Sequence, residues 1–249
     1  MSGHSKWATI RRKKEATDAK RSDRYAKLLR AVEVAAREGG GSIEGNMTLA
    51  SAVEKARSFS VPNDNIDRAI KRGTGELEGA KYEELTYEGY GPGGVALLVE
   101  VLTDNRNRTG ADIRYLFTRQ GGNMADPGST AWMFTRKGVI SVDKDAAPDE
   151  ERLLELVLEA GAEDLADSES SWEVTTDPSA LKSVRAALEA AGVTVASAEV
   201  TMVANQTVPL EGAKARAVLG LVEALEDHDD VQGVYSNFDI SEELMAEVR

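Results

Sequence analysis

The spacing of apolar residues changes once along the 249-residue chain, near residue 75, and this change constrains the fold class. Before it, apolar residues recur every three or four positions, which is typical of amphipathic helices. After it, short apolar segments bounded by glycine and proline predict strands, with further helical segments between them. A chain in which a helical region is followed by strands and further helices is expected to fold as an α+β protein.

Three helices are predicted before the change. The first covers residues 17–38 and ends at the glycines 39–41, and the second opens near Asn46, a favourable N-cap residue. The third starts near residue 62 and ends at Gly73, which is interpreted as a glycine C-cap. The apolar face of the first helix consists of Tyr25, Leu28, Leu29, Val32, Ala35 and Ala36. That of the second consists of Leu49, Val53 and Ala56.

A hairpin, a helix and another strand are predicted next. Residues 82–90 and 95–102 read as strands joined by Gly91, Gly93 and Gly94. A phosphate-binding loop is the less favoured interpretation of these glycines, because such a loop leads from a strand into a helix. A helix over residues 106–120 follows, and then a strand over residues 129–135 with Trp132 and Phe134 on one side.

The rest of the chain predicts an inserted unit and a return to the first sheet. Its β-α-β-β-α-β order is that of a ferredoxin-like domain, with elements at residues 139–142, 149–160, 163–166, 171–176, 178–191 and 195–204. A helix over residues 213–226 and a strand over residues 231–238 would then complete the sheet that begins at residue 82.

The sequence therefore predicts three domains in an α+β chain. They are an N-terminal basic helical domain that binds nucleic acid (1–78), a discontinuous middle α+β domain (79–136 plus 205–249), and an inserted ferredoxin-like α+β domain (137–204).

Charge is distributed unevenly between these parts. The whole chain carries −13, but residues 1–75 contain 16 Lys and Arg against 9 Asp and Glu, a surplus of +7, whereas residues 76–249 carry −20. The first 30 residues alone contain 10 basic and 3 acidic side chains. A basic N-terminus on an acidic body is typical of proteins that bind nucleic acid through one end.

The first candidate site is this basic segment. Its dense cations repel one another unless phosphates lie opposite them, and Trp7 would either stack on a base or anchor the segment on the helical domain. The cations of the first predicted helix extend the charge along one face, although an ordinary solvated helix surface is the competing interpretation. The candidate residues are Lys6, Trp7, Arg11, Arg12, Lys13, Lys14, Lys20, Arg21, Arg24 and Lys27.

A secondary anion-binding candidate lies where a predicted strand passes into a helix. Asn105, Arg106 and Arg108 could hold a phosphate there with free backbone N–H groups and two guanidinium groups. A plain helix cap with exposed arginines explains the same residues equally well.

Few residue types suited to catalysis at neutral pH are present. The two histidines, His4 and His228, have no partner at metal-ligand spacing and are interpreted as solvated or capping residues. We therefore expect no catalytic residue, metal, cofactor or small-molecule substrate, and no enzymatic activity.

The absence of cysteine fits a reducing compartment, and no apolar segment reaches the roughly 20 residues that span a bilayer. The N-terminus also lacks the apolar core of a secretory signal. A cytoplasmic protein without membrane contact is expected.

Several motifs resemble those of the YebC/PmpR family, in the same order and over nearly the whole chain. They are the opening Ser2–Trp7 with Ile10 and the basic run, PNDNIDRAIKRGTG at 62–75, YEGYGPGG at 87–94, TDNRNRT at 103–109 and GGNMADPGSTAW at 121–132. The resemblance implies three α+β domains, a cytoplasmic location and no catalytic activity. It also implies a DNA-binding transcriptional regulator, as bacterial relatives are described.

The same family includes mitochondrial translational activators of cytochrome oxidase, and some bacterial members act at the ribosome. Two functions are therefore expected from the resemblance and the charge. The first is DNA binding that regulates transcription, and the alternative is a translation factor that binds ribosomal or messenger RNA and relieves stalling. In either case the acidic later domains offer a surface for a protein partner.

Overall fold

The first unit of the protein is helical. In the computed structural model, which describes residues 18–79, 81–168 and 171–247, α1 covers Asp18–Gly39, α2 Met47–Ser58 and α3 Asn63–Gly73. The three helices bury a common core, formed by Leu28, Val32, Ala35, Ala36, Leu49, Val53, Ala56, Val61, Ile66 and Ala69. The predicted helices and their apolar faces are confirmed.

Asn46 fixes the connection between α1 and α2. Its Oδ1 accepts a hydrogen bond from the Leu49 N–H at 3.0 Å, as expected for an N-cap. Its Nδ2 donates to the carbonyl oxygens of Ala35 and Gly40 at 2.7 and 2.9 Å. One buried amide therefore satisfies backbone groups at the end of α1 and at the start of α2.

The interpretation of Gly73 as a glycine C-cap is wrong. Gly73 is the last residue of α3, and Thr74 caps the helix in the right-handed helical conformation. The first positive φ after α3 is that of Gly75, 82°. A Cβ on Gly73 would instead meet the Glu33 carbonyl oxygen and lie 2.7 Å from the Ala36 Cβ. Glycine is needed here because α3 packs very closely on α1.

The middle unit begins with the predicted hairpin. β1 (Glu83–Tyr90) pairs antiparallel with β2 (Ala96–Thr103), with Glu83 opposite Thr103 and Tyr90 opposite Ala96. A short 3₁₀ turn at Pro92–Gly94 joins them, which confirms the hairpin interpretation. α4 (Arg106–Arg119) is also confirmed, with Asn105 as its N-cap. β3 (Asn123–Ala125), which pairs with β1, was not predicted because three residues are too short to show a period.

The inserted unit has the ferredoxin-like topology. β4 (Phe134–Asp143), α5 (Glu150–Glu159), β5 (Ala162–Ser168), β6 (Ser171–Thr176), α6 (Leu181–Ala190) and β7 (Val195–Ala204) follow in the predicted order. The antiparallel sheet has the strand order β5-β6-β4-β7, so the first strand lies at the centre beside the last. Both helices pack on this sheet through a core that includes Ile140, Val142, Leu153, Val157, Val174, Val184 and Leu188.

The chain then returns to the middle unit, as predicted. β8 (Val208–Pro209), α7 (Gly212–Glu226), β9 (Val231–Ser236), β10 (Phe238–Asp239) and α8 (Glu242–Glu247) complete the described residues. β9 pairs antiparallel with β2, which gives a four-stranded sheet of order β3-β1-β2-β9. α4 and α7 bury a common core against it, including Val99, Ile113, Phe117, Val218, Leu219 and Val222.

The predicted strand over residues 129–135 is wrong in its first half. Residues 131–133 form a 3₁₀ turn, the strand begins only at Phe134, and Trp132 is 69% exposed whereas Phe134 is buried. The carboxylate of Glu88 accepts hydrogen bonds from three backbone N–H groups, those of Gly128, Thr130 and Ala131, at 2.6 to 2.8 Å. These bonds fold the backbone into a turn, and their acceptor lies 40 or more residues away in the sequence.

The predicted strand over residues 231–238 is interrupted at Asn237. The Asn237 Oδ1 accepts from the Ala96 N–H at 2.7 Å, and the Val208 N–H donates to the Asn237 carbonyl oxygen at 2.7 Å. β10 therefore leaves β2 and pairs in parallel with β8. Elsewhere β4 starts five residues earlier than predicted, and α6 starts three residues later.

Candidate nucleic-acid interface

The predicted basic site lies partly outside the described residues. Its first six members, Lys6, Trp7, Arg11, Arg12, Lys13 and Lys14, precede residue 18. Lys20 and Arg21 lie in the first turns of α1, but only their backbone is described. The role of these eight residues in nucleic-acid binding stays a prediction.

Arg24 and Lys27 point toward different parts of the protein. The Arg24 guanidinium carbon lies 4.9 Å from the centroid of the Phe59 ring, a cation–π contact within the helical unit. The Lys27 ammonium donates a hydrogen bond to the carbonyl oxygen of Glu226 at 2.6 Å, at the C-terminal end of α7. That end carries the negative part of the helix dipole, so Lys27 helps to dock α1 on the middle unit.

Arg30 makes the main polar contact between the helical and middle units. Its Nη1 donates to the carbonyl oxygens of Leu102 and Asp229, both at 3.1 Å, and to Asp230 Oδ1 at 2.8 Å. Its guanidinium carbon also lies 5.1 Å from the Tyr82 ring centroid. No local sequence pattern predicts the contact between Arg30 and Asp230, because 200 residues separate them.

Asp230 is the buried centre of this junction. Its Oδ2 accepts from Thr109 Oγ1 at 2.6 Å, from Arg108 Nη2 at 3.0 Å and from Thr103 Oγ1 at 3.2 Å. Burial raises the pKa of Asp230, but the Thr109 hydroxyl and the guanidinium groups of Arg108 and Arg30 outweigh it, so the pKa lies below its usual value. The carboxylate is therefore charged at neutral pH and joins α1 to α4 through two arginines.

The secondary candidate at the start of α4 is largely occupied by the protein itself. Asn105 Oδ1 accepts from the Arg108 N–H at 3.1 Å, and Arg108 Nη2 binds Asp104 Oδ1 at 2.9 Å as well as Asp230. Arg106 is exposed, and its carbonyl oxygen accepts a hydrogen bond from the Tyr87 hydroxyl at 3.2 Å. These contacts favour the capping interpretation for Asn105 and Arg108, whereas phosphate binding stays a prediction.

Four further cations of the helical unit are exposed and were not selected from the sequence. They are Lys55, Arg57, Arg68 and Lys71 on α2 and α3. Within the described ranges none of the four forms an ion pair, so their charge is available to a polyanion. The clustering of basic residues in the last turns of both helices is the sequence signal that would have found Lys55, Arg57 and Lys71.

A cleft of about 700 Å³ lies between α1 and the segment that leads to β1, with Arg30, Glu33, Arg72 and Tyr82 in its wall. Its central carboxylate is already paired, since Glu33 binds Arg37 at 3.0 Å and Arg72 at 2.9 Å. Across residues 18–79, 81–168 and 171–247, no three His, Asp or Glu side chains are grouped as a metal site. None of the helices within these ranges contains an apolar stretch of transmembrane length.

Two family models match the chain in succession. The TACO1/YebC N-terminal domain matches residues 5–76, and the TACO1/YebC second and third domain matches residues 82–238. The chain belongs to the TACO1/YebC family. The resemblance inferred from the sequence motifs is confirmed. The two matches cover both the helical unit and the units that contain the sheets of this YebC-family protein.

Similar proteins carry regulatory names rather than enzyme names. A "Probable transcriptional regulatory protein" of Rubrobacter xylanophilus is 58% identical over all of this chain and 99% of its own length. A protein of the same name from Geobacter sulfurreducens is 56% identical over 98% of each chain. The crystal structure of a conserved hypothetical protein from Aquifex aeolicus superposes with a TM-score of 0.78 at 44% identity, covering 90% of this chain and 92% of that one.

Proposed function

We propose that this YebC-family protein is a cytoplasmic, non-enzymatic regulator of transcription that binds DNA through its N-terminal helical unit. The observation that carries the proposal is the segregation of charge, +7 over residues 1–75 against −20 over the rest. Phosphates attract the first part and are repelled by the second, so binding is expected to be directed to one end of the molecule. The names of the similar proteins support the same class of function.

The structure supports the proposal through the position of α1. The side of α1 that bears Lys27 and Arg30 contacts the middle unit, so the docked helix has a fixed orientation. The exposed cations of α2 and α3 add positive charge to the same unit. A rigid helical unit that continues a basic N-terminal segment would position its cations along a phosphate backbone.

The test is a titration of genomic promoter fragments with the full-length protein at several salt concentrations. Each phosphate that a cation neutralises contributes about −0.9 to the slope of log K against log salt. Replacement of Arg11, Arg12, Lys13 and Lys14 with alanine should therefore reduce that slope by about 3 to 4 and weaken binding strongly.

The matched control removes four exposed cations from later parts of the chain, at Arg152, Lys182, Arg185 and Lys214. It changes the net charge equally but should leave the slope nearly unchanged. Affinity that is indifferent both to the fragment sequence and to loss of the N-terminal cations would contradict the proposal. Co-sedimentation with ribosomes at moderate salt, without any promoter preference, would assign the binding to RNA instead.

A further inference from the structure

A basic and aromatic surface lies on α4, within the otherwise acidic body. We call it the α4 outer surface and define it as Arg114, Tyr115 and Arg119, all exposed. The buried side of the same helix is Thr109, Ile113 and Phe117, which face the middle core. The outer surface therefore contributes little to the packing that stabilises the helix.

The arginines of this surface are not neutralised by the protein. Arg108, at the start of α4, is bound by Asp104 and Asp230, but Arg114 and Arg119 have no carboxylate partner in the described part of the chain. The one acidic residue of the helix, Asp112, lies one turn before Tyr115 on the same side of α4, and its Oδ2 lies 3.5 Å from His228 Nε2. The surface is a local excess of positive charge in a region of the sequence that carries −20 overall.

Tyr115 gives this surface a second chemical property. Its side chain is 61% exposed, and Arg119 follows it by one helical turn, so the two side chains are neighbours on the helix. A flat ring beside guanidinium groups can stack on a nucleobase while the cations bind the flanking phosphates. Stacking requires a base whose face is free, which excludes the interior of a duplex.

The α4 outer surface and the start of α1 lie on two helices that meet at one junction. Arg30 of α1 and Arg108 of α4 bind the same Asp230 carboxylate at 2.8 and 3.0 Å. At about 1.5 Å per helical residue, Lys20 lies roughly 15 Å along α1 from Arg30, and Arg119 roughly 16 Å along α4 from Arg108. A nucleic-acid segment that follows both helices must span these two lengths, about 31 Å together, and the junction between them.

We propose that the α4 outer surface binds unpaired nucleotides, with Tyr115 stacking on a base and Arg114 and Arg119 contacting phosphates. The proposal rests on the proposed nucleic-acid function and adds to it a second contact outside the N-terminal unit. It assigns this surface to single-stranded segments, such as an opened duplex or an unpaired stretch of RNA.

The experiment is fluorescence anisotropy of the full-length protein with three labelled probes: a dT 20-mer, an rU 20-mer and a 20-base-pair duplex. Tyr115→Ala should weaken binding of a single-stranded probe about tenfold, within the range for loss of one base stack, and leave duplex affinity within about twofold. Tyr115→Phe, which keeps the ring, should bind like the wild type. The two single-stranded probes distinguish DNA from RNA as the source of the nucleotides.

The charge contribution is tested by the double variant Arg114→Gln and Arg119→Gln. It should reduce the salt slope for single strands by about 1.4, because each lost phosphate contact contributes about 0.7. The matched double variant Arg152→Gln and Lys182→Gln, two exposed cations of the inserted unit, should leave the slope unchanged.

The outcomes separate this inference from the proposed function. If the N-terminal alanine variant loses affinity while Tyr115→Ala and the α4 double variant bind all probes like the wild type, the α4 contact is refuted and the N-terminal one stands. If the wild-type protein binds none of the probes or promoter fragments, both proposals fail.

Discussion

Glu88 is a buried carboxylate that organises the loop before β4. It is 7% exposed, and its two oxygens accept from the backbone of Gly128, Thr130 and Ala131 and from the Thr130 hydroxyl. Burial raises the pKa of Glu88, but these hydrogen bonds to the charged form outweigh it and hold the pKa below its usual value. The carboxylate thereby supplies acceptors that the loop backbone would otherwise lack.

Glu88→Gln is expected to lower the free energy of unfolding by about 2–3 kcal/mol at pH 7, because the amide nitrogen cannot accept a backbone N–H. The stabilisation by the carboxylate is complete above the ordinary glutamate pKa of about 4.3 and is lost as the pH falls through the lowered folded-state pKa. Urea unfolding should therefore show the difference between wild type and variant shrinking below about pH 4.

The control for Glu88 lies on the same strand. Glu83 is exposed, and Glu83→Gln should unfold like the wild type at neutral pH. A Glu88→Gln variant that lost the same free energy at every pH would show that the charge of Glu88 does not stabilise the loop.

Two helical glycines have opposite roles in packing. A Cβ on Gly73 would collide with the backbone of α1, whereas a Cβ on Gly220 in α7 would meet only the Gln120 side chain, at 3.8 Å or more. The second distance is ordinary van der Waals contact. The same substitution should therefore have opposite effects on stability in α3 and α7.

Gly73→Ala is expected to destabilise the protein by about 2 kcal/mol, because the helices must move apart to accept the methyl group. Gly220→Ala should stabilise it by about 0.5–1 kcal/mol, the usual gain of alanine over glycine inside a helix. Chemical denaturation monitored by circular dichroism measures both. Equal changes in the two variants would rule out close α1–α3 packing as the reason for Gly73.

The orientation of the helical unit on the middle unit depends on charged groups that meet at Asp230. Removing Arg30 leaves the carboxylate with Arg108, Thr103 and Thr109, whereas removing the charge of Asp230 leaves two guanidinium groups without their shared anion. Loss of the shared carboxylate charge is therefore expected to cost more stability than loss of Arg30, because it leaves two arginines without their partner.

Asp230→Asn is accordingly expected to lower the free energy of unfolding by about 3–5 kcal/mol. Arg30→Gln should lower it by only about 1–2 kcal/mol and should increase proteolytic cleavage in the segment between α3 and β1. Arg57→Gln serves as the control, because Arg57 is exposed and forms no ion pair with any residue that the structure describes. An Arg30→Gln protein with wild-type stability and protease resistance would indicate that the units are not docked through Asp230 in solution.

Much of the architecture followed from local patterns. The three N-terminal helices, the β1–β2 hairpin and the ferredoxin-like element order were predicted from periodicity and turn residues within contiguous segments. The return of β9 to the first sheet was predicted because the last helix and strand are left over once the ferredoxin-like unit is complete. The division of the chain at residues 78, 136 and 204 stays a prediction. Buried Ala96 and Leu98 of β2 pack with Phe134, the first residue of β4, so the sheets of the middle and inserted units share apolar contacts.

The sequence by itself determined the order and type of the main elements and the separation of positive from negative charge, since both are properties of contiguous residues. Only the tertiary structure decided what Gly73, Glu88, Arg30 and Lys27 do, because their partners lie between 37 and 200 residues away along the chain. It also showed which arginines of α4 are neutralised and which remain exposed. The partners and the burial of these side chains depend on how distant segments meet in space, which the periodicity of a local segment does not show.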